Sequence, residues 1–321
     1  MKGAVATRRF NSYAVFGFLR RYGVLVIIAL LMAFMTGVSD AFLTPRNLLN
    51  ILNQSTPLAL IATALTLVII GGGFDLSTGA IFGVAAVSAA WLAVNVDPAI
   101  GLVAAPLIGL LLGVVNGAII TGFRVHSFLA TLATSLVFRG VAVLLSGGFL
   151  IPVRMESFTW IGRGTIGMVK IAVIVLALFV AAMMFLLNRT TFGRRVYAVG
   201  GNEEAAILSG VRVNAVKIGT FALCGFAAGL ASAIATSRIS MGQPQAGAGL
   251  ELEAIAAVIL GGTSIYGGQG AVWRSVAGVL LLSLIGNAFN ILNVNPFFKD
   301  LTTGLIIVVA VALSAVGKGR R

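Results

Sequence analysis

Charge is scarce in this sequence. Only 10% of its 321 residues are charged and 59% are hydrophobic, whereas a soluble domain carries about 25% charged residues. So few charges cannot clothe a water-exposed surface, which excludes an ordinary soluble protein. Cysteine is almost absent. Cys224 stands alone, inside an apolar run, and excludes both an internal disulfide and a Cys-based zinc site. His126 is the only histidine, and one His with one Cys makes no metal centre. No G-x-x-x-x-G-K-[ST] loop occurs, so the chain has no nucleotide-hydrolysing motif of its own. Acids are few: nine, against 22 Lys and Arg, for a net charge of +13. The basic residues fall between apolar runs rather than along one face. They read as topology signals and contacts to anionic membrane lipids, not as a nucleic-acid surface.

What the sequence has is long apolar runs and 40 glycines. A helix needs about 20 mostly apolar residues to cross the hydrocarbon core. Ten runs approach this: Tyr22–Ser39, Thr56–Gly72, Leu76–Val96, Ala99–Gly122, Ser127–Ser146, Gly167–Leu187, Val216–Ser237, Leu252–Tyr266, Ala271–Leu292 and Phe298–Val316. The eighth is short and Gly-rich at its end. The runs are continuous rather than alternating, which excludes barrel strands. The first is long and followed by no A-x-A-like site, so it predicts a retained helix and not a cleaved signal peptide.

Arginine and lysine set the orientation. Lys2, Arg8, Arg9, Arg20 and Arg21 precede the first span, and Arg189, Arg194, Arg195, Arg212 and Lys217 share one loop. The opposite side receives only Arg46, Arg154, Arg163, Lys170, Arg238 and Lys299. The expectation is an all-α integral, multi-pass membrane protein of about ten transmembrane helices, N-in and C-in. Residues 1–21 form a basic cytoplasmic segment, 22–316 the membrane domain, and 317–321 a basic cytoplasmic tail.

Three stretches break the apolar pattern. The cytoplasmic loop of about 188–217 contains GGNEEAAILSG. Asn202 suits an N-cap, Glu203 and Glu204 the first turn, and Gly210 a stop. Ala205, Ala206 and Leu208 supply a small apolar face, so a short helix of about two turns is predicted outside the membrane. It reads either as a connector on lipid headgroups or as a contact for a partner. The second stretch is GGGFDLSTG, Gly71 to Gly79. Asp75 has no basic neighbour, and a charge in lipid costs several kcal/mol. Asp75 and Ser77 either cap the next helix or line a path. The third is ELEAIAAVILGGTSIYGGQG, beginning at Glu251. Its Gly261-Gly262 resembles Gly71-Gly72-Gly73, which leaves an internal structural repeat open.

Elsewhere, Asn116, Asn287 and Asn290 suit bonds between helices. Arg139 faces protein or water, and His126 sits near a loop. The outer loop from Gly147 to Ile166 carries Arg154, Glu156, Arg163 and an interfacial Trp160, and reads as a plain loop or a docking surface.

At the three breaks the sequence resembles a known family. GGGFDLSTGAIFG, TTFGRRVYAVGGNEEAAILSGVRV and ELEAIAAVILGGTSIYGGQGAV are similar, in that order, to segments of the sugar-type ABC importer permeases, the ribose, xylose, arabinose and galactose group. VNGAIITGFRVHSFLATL matches a fourth stretch more loosely. The similarity spans about residues 50–316. Phe74 stands where the family usually has Ile, and His126 where it often has Pro.

The resemblance implies a permease subunit, multi-pass in a bacterial inner (plasma) membrane, that is not itself an enzyme and binds no cofactor. A cytoplasmic ABC ATPase with two nucleotide-binding halves would carry the ATP and Mg, a periplasmic sugar-binding protein would dock above, and a second permease chain, identical or a sister, would complete a dimer. It further implies that Gly201, Asn202, Glu203, Glu204, Ala205, Ala206, Leu208, Ser209 and Gly210 form the helix that couples to the ATPase. Gly72, Gly73, Asp75, Ser77, Gly261, Gly262, Thr263 and Ser264 are the candidates for the translocation path. Alternatives stay open at this point: a branched-chain amino-acid ABC permease, an ion-coupled secondary transporter, or an intramembrane enzyme.

Overall fold

The computed structural model describes residues 12–295 together with 297, 298, 301, 302, 304, 305 and 308, and gives only the backbone of 12–21. Residues 1–11 and the basic tail at 317–321 lie outside the described residues, as does most of the tenth expected span.

Twelve helices are described: α1 (Ser12–Val38), α2 (Pro45–Ile70), α3 (Thr78–Asn95), α4 (Pro98–Gly122), α5 (Ser127–Ser146), α6 (Glu156–Arg163), α7 (Ile171–Arg189), α8 (Thr191–Gly201), α9 (Glu203–Leu208), α10 (Val213–Ile239), α11 (Leu250–Leu260) and α12 (Val272–Ile291). Seven of them, α2 to α5, α7, α10 and α12, are long and apolar enough to cross a membrane, and α1 adds the shorter apolar stretch Tyr22–Val38. Four two-residue strands complete the order: β1 (Ile151–Pro152), β2 (Thr165–Ile166), β3 (Val169–Lys170) and β4 (Met241–Gly242).

The helix starts follow local chemistry. Thr44 accepts from the Asn47 N–H and is followed by Pro45, while Asp97 accepts from the Ala99 and Ile100 N–H groups and is followed by Pro98. Proline at the first helical position loses nothing, because that N–H has no partner in any helix. His126 is exposed, and its Nδ1 accepts from the Phe128 N–H at the start of α5.

α2 is the centre of the bundle. Every residue from Ser55 to Ile70 is buried, as befits a helix that is apolar on all sides. α10 packs closely against α4. A Cβ on Gly109 would overlap the Gly225 carbonyl, and one on Gly229 would overlap that of Ala105. Small residues let these two backbones touch where lipid supplies no hydrophobic drive for helix association. By contrast, Leu107, Leu111, Leu129, Leu136, Leu178 and Phe185 on α4, α5 and α7 are exposed apolar residues.

Two expectations are corrected here. The eighth run is not a full-length helix. α11 has 11 residues, about 16 Å at 1.5 Å per residue, and stops at the Gly261-Gly262 pair. The segment before it is irregular: Ser240, Gly247 and Gly249 have positive φ. It runs along α3 in the opposite direction, with Gly242 against Ala86 and Ala90, Pro244 against Gly83, and Gly247 against Gly79 and Phe82. Such backbone is tolerated at membrane depth only where protein or a cavity covers it. Secondly, the loop of 188–217 holds two helices rather than one, α8 and α9.

Two ends of the bundle can be told apart. One carries α8, α9, the 71–77 break and the turn at 261–271. The other carries α6, the β2–β3 hairpin and the β1–β4 pair, in which Ile151 faces Gly242 and Pro152 faces Met241.

Candidate functional site

α9 is short but fixed at both ends. The Asn202 Oδ1 accepts from the Ala205 N–H at 2.9 Å, as its place before EEAAIL suggests. Glu203 in the first turn pairs with Lys217 of α10 at 2.7 Å. The Ser209 hydroxyl donates to the Ala205 carbonyl at 2.8 Å, and Gly210 at φ +78° turns the chain away. Ala206 faces inward and is buried. Leu208 is 89% exposed and its neighbour Ile207 56%. An apolar pair held outward beside Glu203, Glu204 and Arg212 has the character of an interaction site.

α8, which the sequence did not reveal, ties α9 to the bundle. Thr190 caps it by accepting from the Gly193 N–H. Val196 and Val199 are buried. The Tyr197 hydroxyl donates to the Gly270 carbonyl at 2.9 Å; burial pushes this phenol up, and the Arg274 charge opposes the shift. At its end Gly200 lies directly against the Ile70 carbonyl, which also accepts from the Gly268 N–H at 2.8 Å. Gly72 and Gly267 close the same knot.

The two Gly-pair motifs have one geometry. α2 ends with Gly71, Gly72 and Gly73 donating to Leu67, Ile69 and Val68, each at 3.0 Å. α11 ends with Gly261, Gly262 and Thr263 donating to Ala257, Ile259 and Val258 at 2.9, 2.8 and 3.2 Å. Gly72 at φ +82° and Gly262 at φ +90° take the left-handed step, as in a Schellman ending. The likeness seen in sequence is thus a shared helix stop. The knot brings the two motifs together at the α8 end of the bundle.

Asp75 and Ser77 are fully buried, and the capping expectation is corrected. Ser77 occupies the N-cap position of α3, but its side chain accepts from no helix N–H. Instead the Asp75 Oδ1 accepts from the Ser77 N–H at 2.9 Å and the Ser77 hydroxyl at 2.6 Å, and the Asn116 amide donates to that hydroxyl at 2.6 Å. The extended backbone between α2 and α3 is served by α5: Phe74 N–H donates to Ser127 and Leu76 N–H to Thr131, both at 3.0 Å. Glu251 packs against Gly79 and pairs with Arg139 at 3.4 Å, so Arg139 faces protein. Thr263 is buried, Ser264 half-buried, and Gly262 exposed. Asn287 bonds across helices to Asn47, whereas the Asn290 side chain makes no hydrogen bond among the described residues.

Asp75→Ala removes the acceptor of two buried donors. The expected cost is about 2–4 kcal/mol, read as a lower thermal midpoint in detergent, with Asp75→Asn, which keeps one acceptor oxygen, losing less than half as much. Equal losses in the two variants would show that the charge, not the Ser77 bonds, holds the break.

At the opposite end α6 is clamped to α10. The Gly162 N–H donates to Ser237 at 2.9 Å, Ser237 donates to the Phe158 carbonyl at 2.7 Å, and the Arg163 Nε donates to the Arg238 carbonyl at 2.8 Å. Trp160 is left 62% exposed.

Comparison with known proteins places the chain. The family model described as branched-chain amino acid transport system / permease component matches residues 47–311. The ribose import permease protein of Bacillus subtilis is 39% identical over 300 residues, 92% of this chain and 93% of that one. The D-allose transport system permease protein of Escherichia coli is 35% identical over 298 residues, 91% of each chain. The L-arabinose ABC transporter permease protein of Azospirillum brasilense is 33% identical over 319 residues, 99% of this chain and 94% of that one. No solved structure matches.

Proposed function

We infer the function from a membership: the chain belongs to the permease family described as the branched-chain amino acid transport system permease component, and it is similar there to sugar permeases over most of its length. It is the multi-pass permease subunit of an ATP-driven monosaccharide importer of the ribose, allose and arabinose group, and it is not itself an enzyme. The observation that carries the sugar over the amino acid is the run of relatives, 33–39% identical, that are named for sugars. The test is uptake by the assembled importer. Labelled ribose, allose or arabinose accumulating in vesicles only when ATP is supplied supports this reading; leucine accumulation alone would replace it.

The parts then take roles. The α8–α9 end is cytoplasmic and the α6 end faces out. α9, from Asn202 to Gly210, docks into a partner ATPase that binds the ATP and Mg, with Leu208 and Ile207 as the apolar anchor. Gly72, Gly73, Asp75 and Ser77, with Gly261, Gly262, Thr263 and Ser264, line the inner part of the path, where two helix stops meet. A second permease chain completes the assembly, and ten crossings, the eighth made by the irregular 240–249 segment together with α11, place both termini inside. Affinity purification of the tagged chain in mild detergent, with cross-linking, is expected to bring down the ATPase; a chain recovered alone would favour a secondary transporter.

The outer face of α6 receives a periplasmic sugar-binding protein. Trp160 is exposed there, in a segment that also carries Arg154, Arg163 and Lys170, and aromatic and arginine residues dominate interface energies. Trp160→Ala is expected to lower binding-protein-dependent uptake about tenfold, roughly 1.4 kcal/mol, while leaving co-purification of the ATPase unchanged. Unaltered uptake would move the docking surface elsewhere.

A further inference from the structure

A cavity of about 310 Å³ opens between α2, α10, α11 and α12 in the outward half of the bundle. None of the path residues named above lines it. Its volume falls at the lower end of small-molecule sites, about 300–1,000 Å³.

Its walls are unusual for membrane helices. α12 presents Ser283, Asn287 and Asn290 along one face, with Gly286 among them, and α2 presents Gln54 and Ser55. Polar side chains in spanning segments face protein or water and mark substrate pathways. Much of their hydrogen-bonding capacity is unspent: among the described residues, the side chains of Gln54, Glu253, Ser283 and Asn290 make no hydrogen bond, and Arg238 and Glu253 line the same cavity without forming an ion pair.

Arg238 is held in place by a backbone device. Pro57 lies inside α2 and has no N–H, so the Asn53 carbonyl, four residues earlier, loses its helical donor. The Arg238 Nη1 donates to that carbonyl at 3.1 Å. One arm of the guanidinium is thereby anchored, and the rest of the group borders the cavity. Leu58, Phe82, Leu250 and Leu282 supply its apolar lining. Phe82 lies one helical turn beyond Thr78, and Leu250 and Glu253 flank Glu251 in sequence, so the cavity borders the elements that carry Asp75 and Glu251.

We propose that this cavity is the receiving site for the sugar, taking a neutral polyhydroxylated ligand. A hydroxyl both donates and accepts, and the walls offer both functions: amides on Gln54, Asn287 and Asn290, donors on Arg238, and a carboxylate acceptor on Glu253. The apolar lining suits the C–H face of a sugar ring. Charge is balanced, one cation against one anion, as a neutral ligand requires.

The proposal rests on the monosaccharide reading. Its test uses the complete importer in liposomes, with ribose, allose and arabinose as probes. Glu253→Gln and Asn290→Leu are each expected to lower uptake at least tenfold, with basal ATP hydrolysis and assembly unchanged. Separately, Asn290→Cys is expected to react with a membrane-impermeant maleimide from outside; Cys224 is buried and gives little background. Wild-type uptake in both substitutions overturns the cavity while leaving the transport function standing. An unreactive Asn290→Cys overturns it as well, since the cavity is then closed to the outside. A wild-type importer that carries none of the three sugars overturns the reading beneath it.

Discussion

Leu208→Asp is expected to eliminate sugar-stimulated ATP hydrolysis and to lower uptake about 100-fold or more, with insertion of the chain unaffected. The argument begins with what the residue does not touch. Leu208 is 89% exposed, so its loss leaves no hole in the bundle, and substitutions at such positions ordinarily stay within about 0.5 kcal/mol of stability. On the proposed docking, its value lies in the ATPase partner. Covering a leucine contributes about 1.5–3 kcal/mol, and an unpaired carboxylate pressed into the same apolar cleft adds a further penalty. Together they exceed the roughly 2.7 kcal/mol that corresponds to a hundredfold change. Nucleotide state can shift the permease only through contacts that differ between its two orientations, and on the proposed docking α9 supplies them. Ala206→Asp supplies the contrast: Ala206 faces the bundle and is buried, so that variant is expected to lose expression rather than coupling. Stimulated hydrolysis surviving intact in Leu208→Asp would remove α9 from the mechanism.

Much of the architecture was legible wherever both ends of an element carry local signals. α5 spans Ser127–Ser146 as read, because His126 caps its start and Gly147, at φ +62°, ends it. Asn202 at the head of α9 was equally plain. α8 escaped notice because TFGRRVYAVGG is a poor helix former, with three glycines and β-branched residues. It stands on tertiary contacts, the buried Val196 and Val199 and the Tyr197–Gly270 bond. α11 was overextended because apolar composition continues past Leu260, while the stop lies in the left-handed step at Gly262. The cap that Asp75 and Ser77 offered in sequence is not formed for another reason. A cap is local, but the partners of this break come from Asn116, Ser127 and Thr131 on other helices, and no single-sequence pattern reports them. The same holds for the cavity: Pro57, Arg238 and Asn287 are far apart in the chain, and only folding aligns them.

Gly200→Ala and Gly201→Ala, one position apart, are expected to behave in opposite ways. A methyl group on Gly200 would overlap the Ile70 carbonyl and approach the Gly268 nitrogen to 2.8 Å, whereas one on Gly201 meets nothing within 4 Å. Both residues close α8, where alanine is favoured over glycine by up to about 1 kcal/mol. Propensity alone would therefore make both variants neutral or slightly stabilised. Sterics separate them, because the atoms facing Gly200 are backbone and cannot rotate away; overpacking of this kind costs about 1–3 kcal/mol. The knot also joins the end of α8, next to α9, to the helix stop at Gly72 and to the Gly267-Gly268 turn. Forcing it apart loosens the link from α9, the proposed ATPase contact, to the break between α2 and α3. Gly200→Ala is expected to lower both the thermal midpoint and sugar uptake, the latter about tenfold, while Gly201→Ala keeps wild-type uptake. The decisive reading is stimulated ATP hydrolysis per assembled complex. If it falls in Gly200→Ala more than assembly does, the close approach serves coupling. If the two alanine variants match, the contact of α8 with Ile70 is incidental and motion reaches the path by another route.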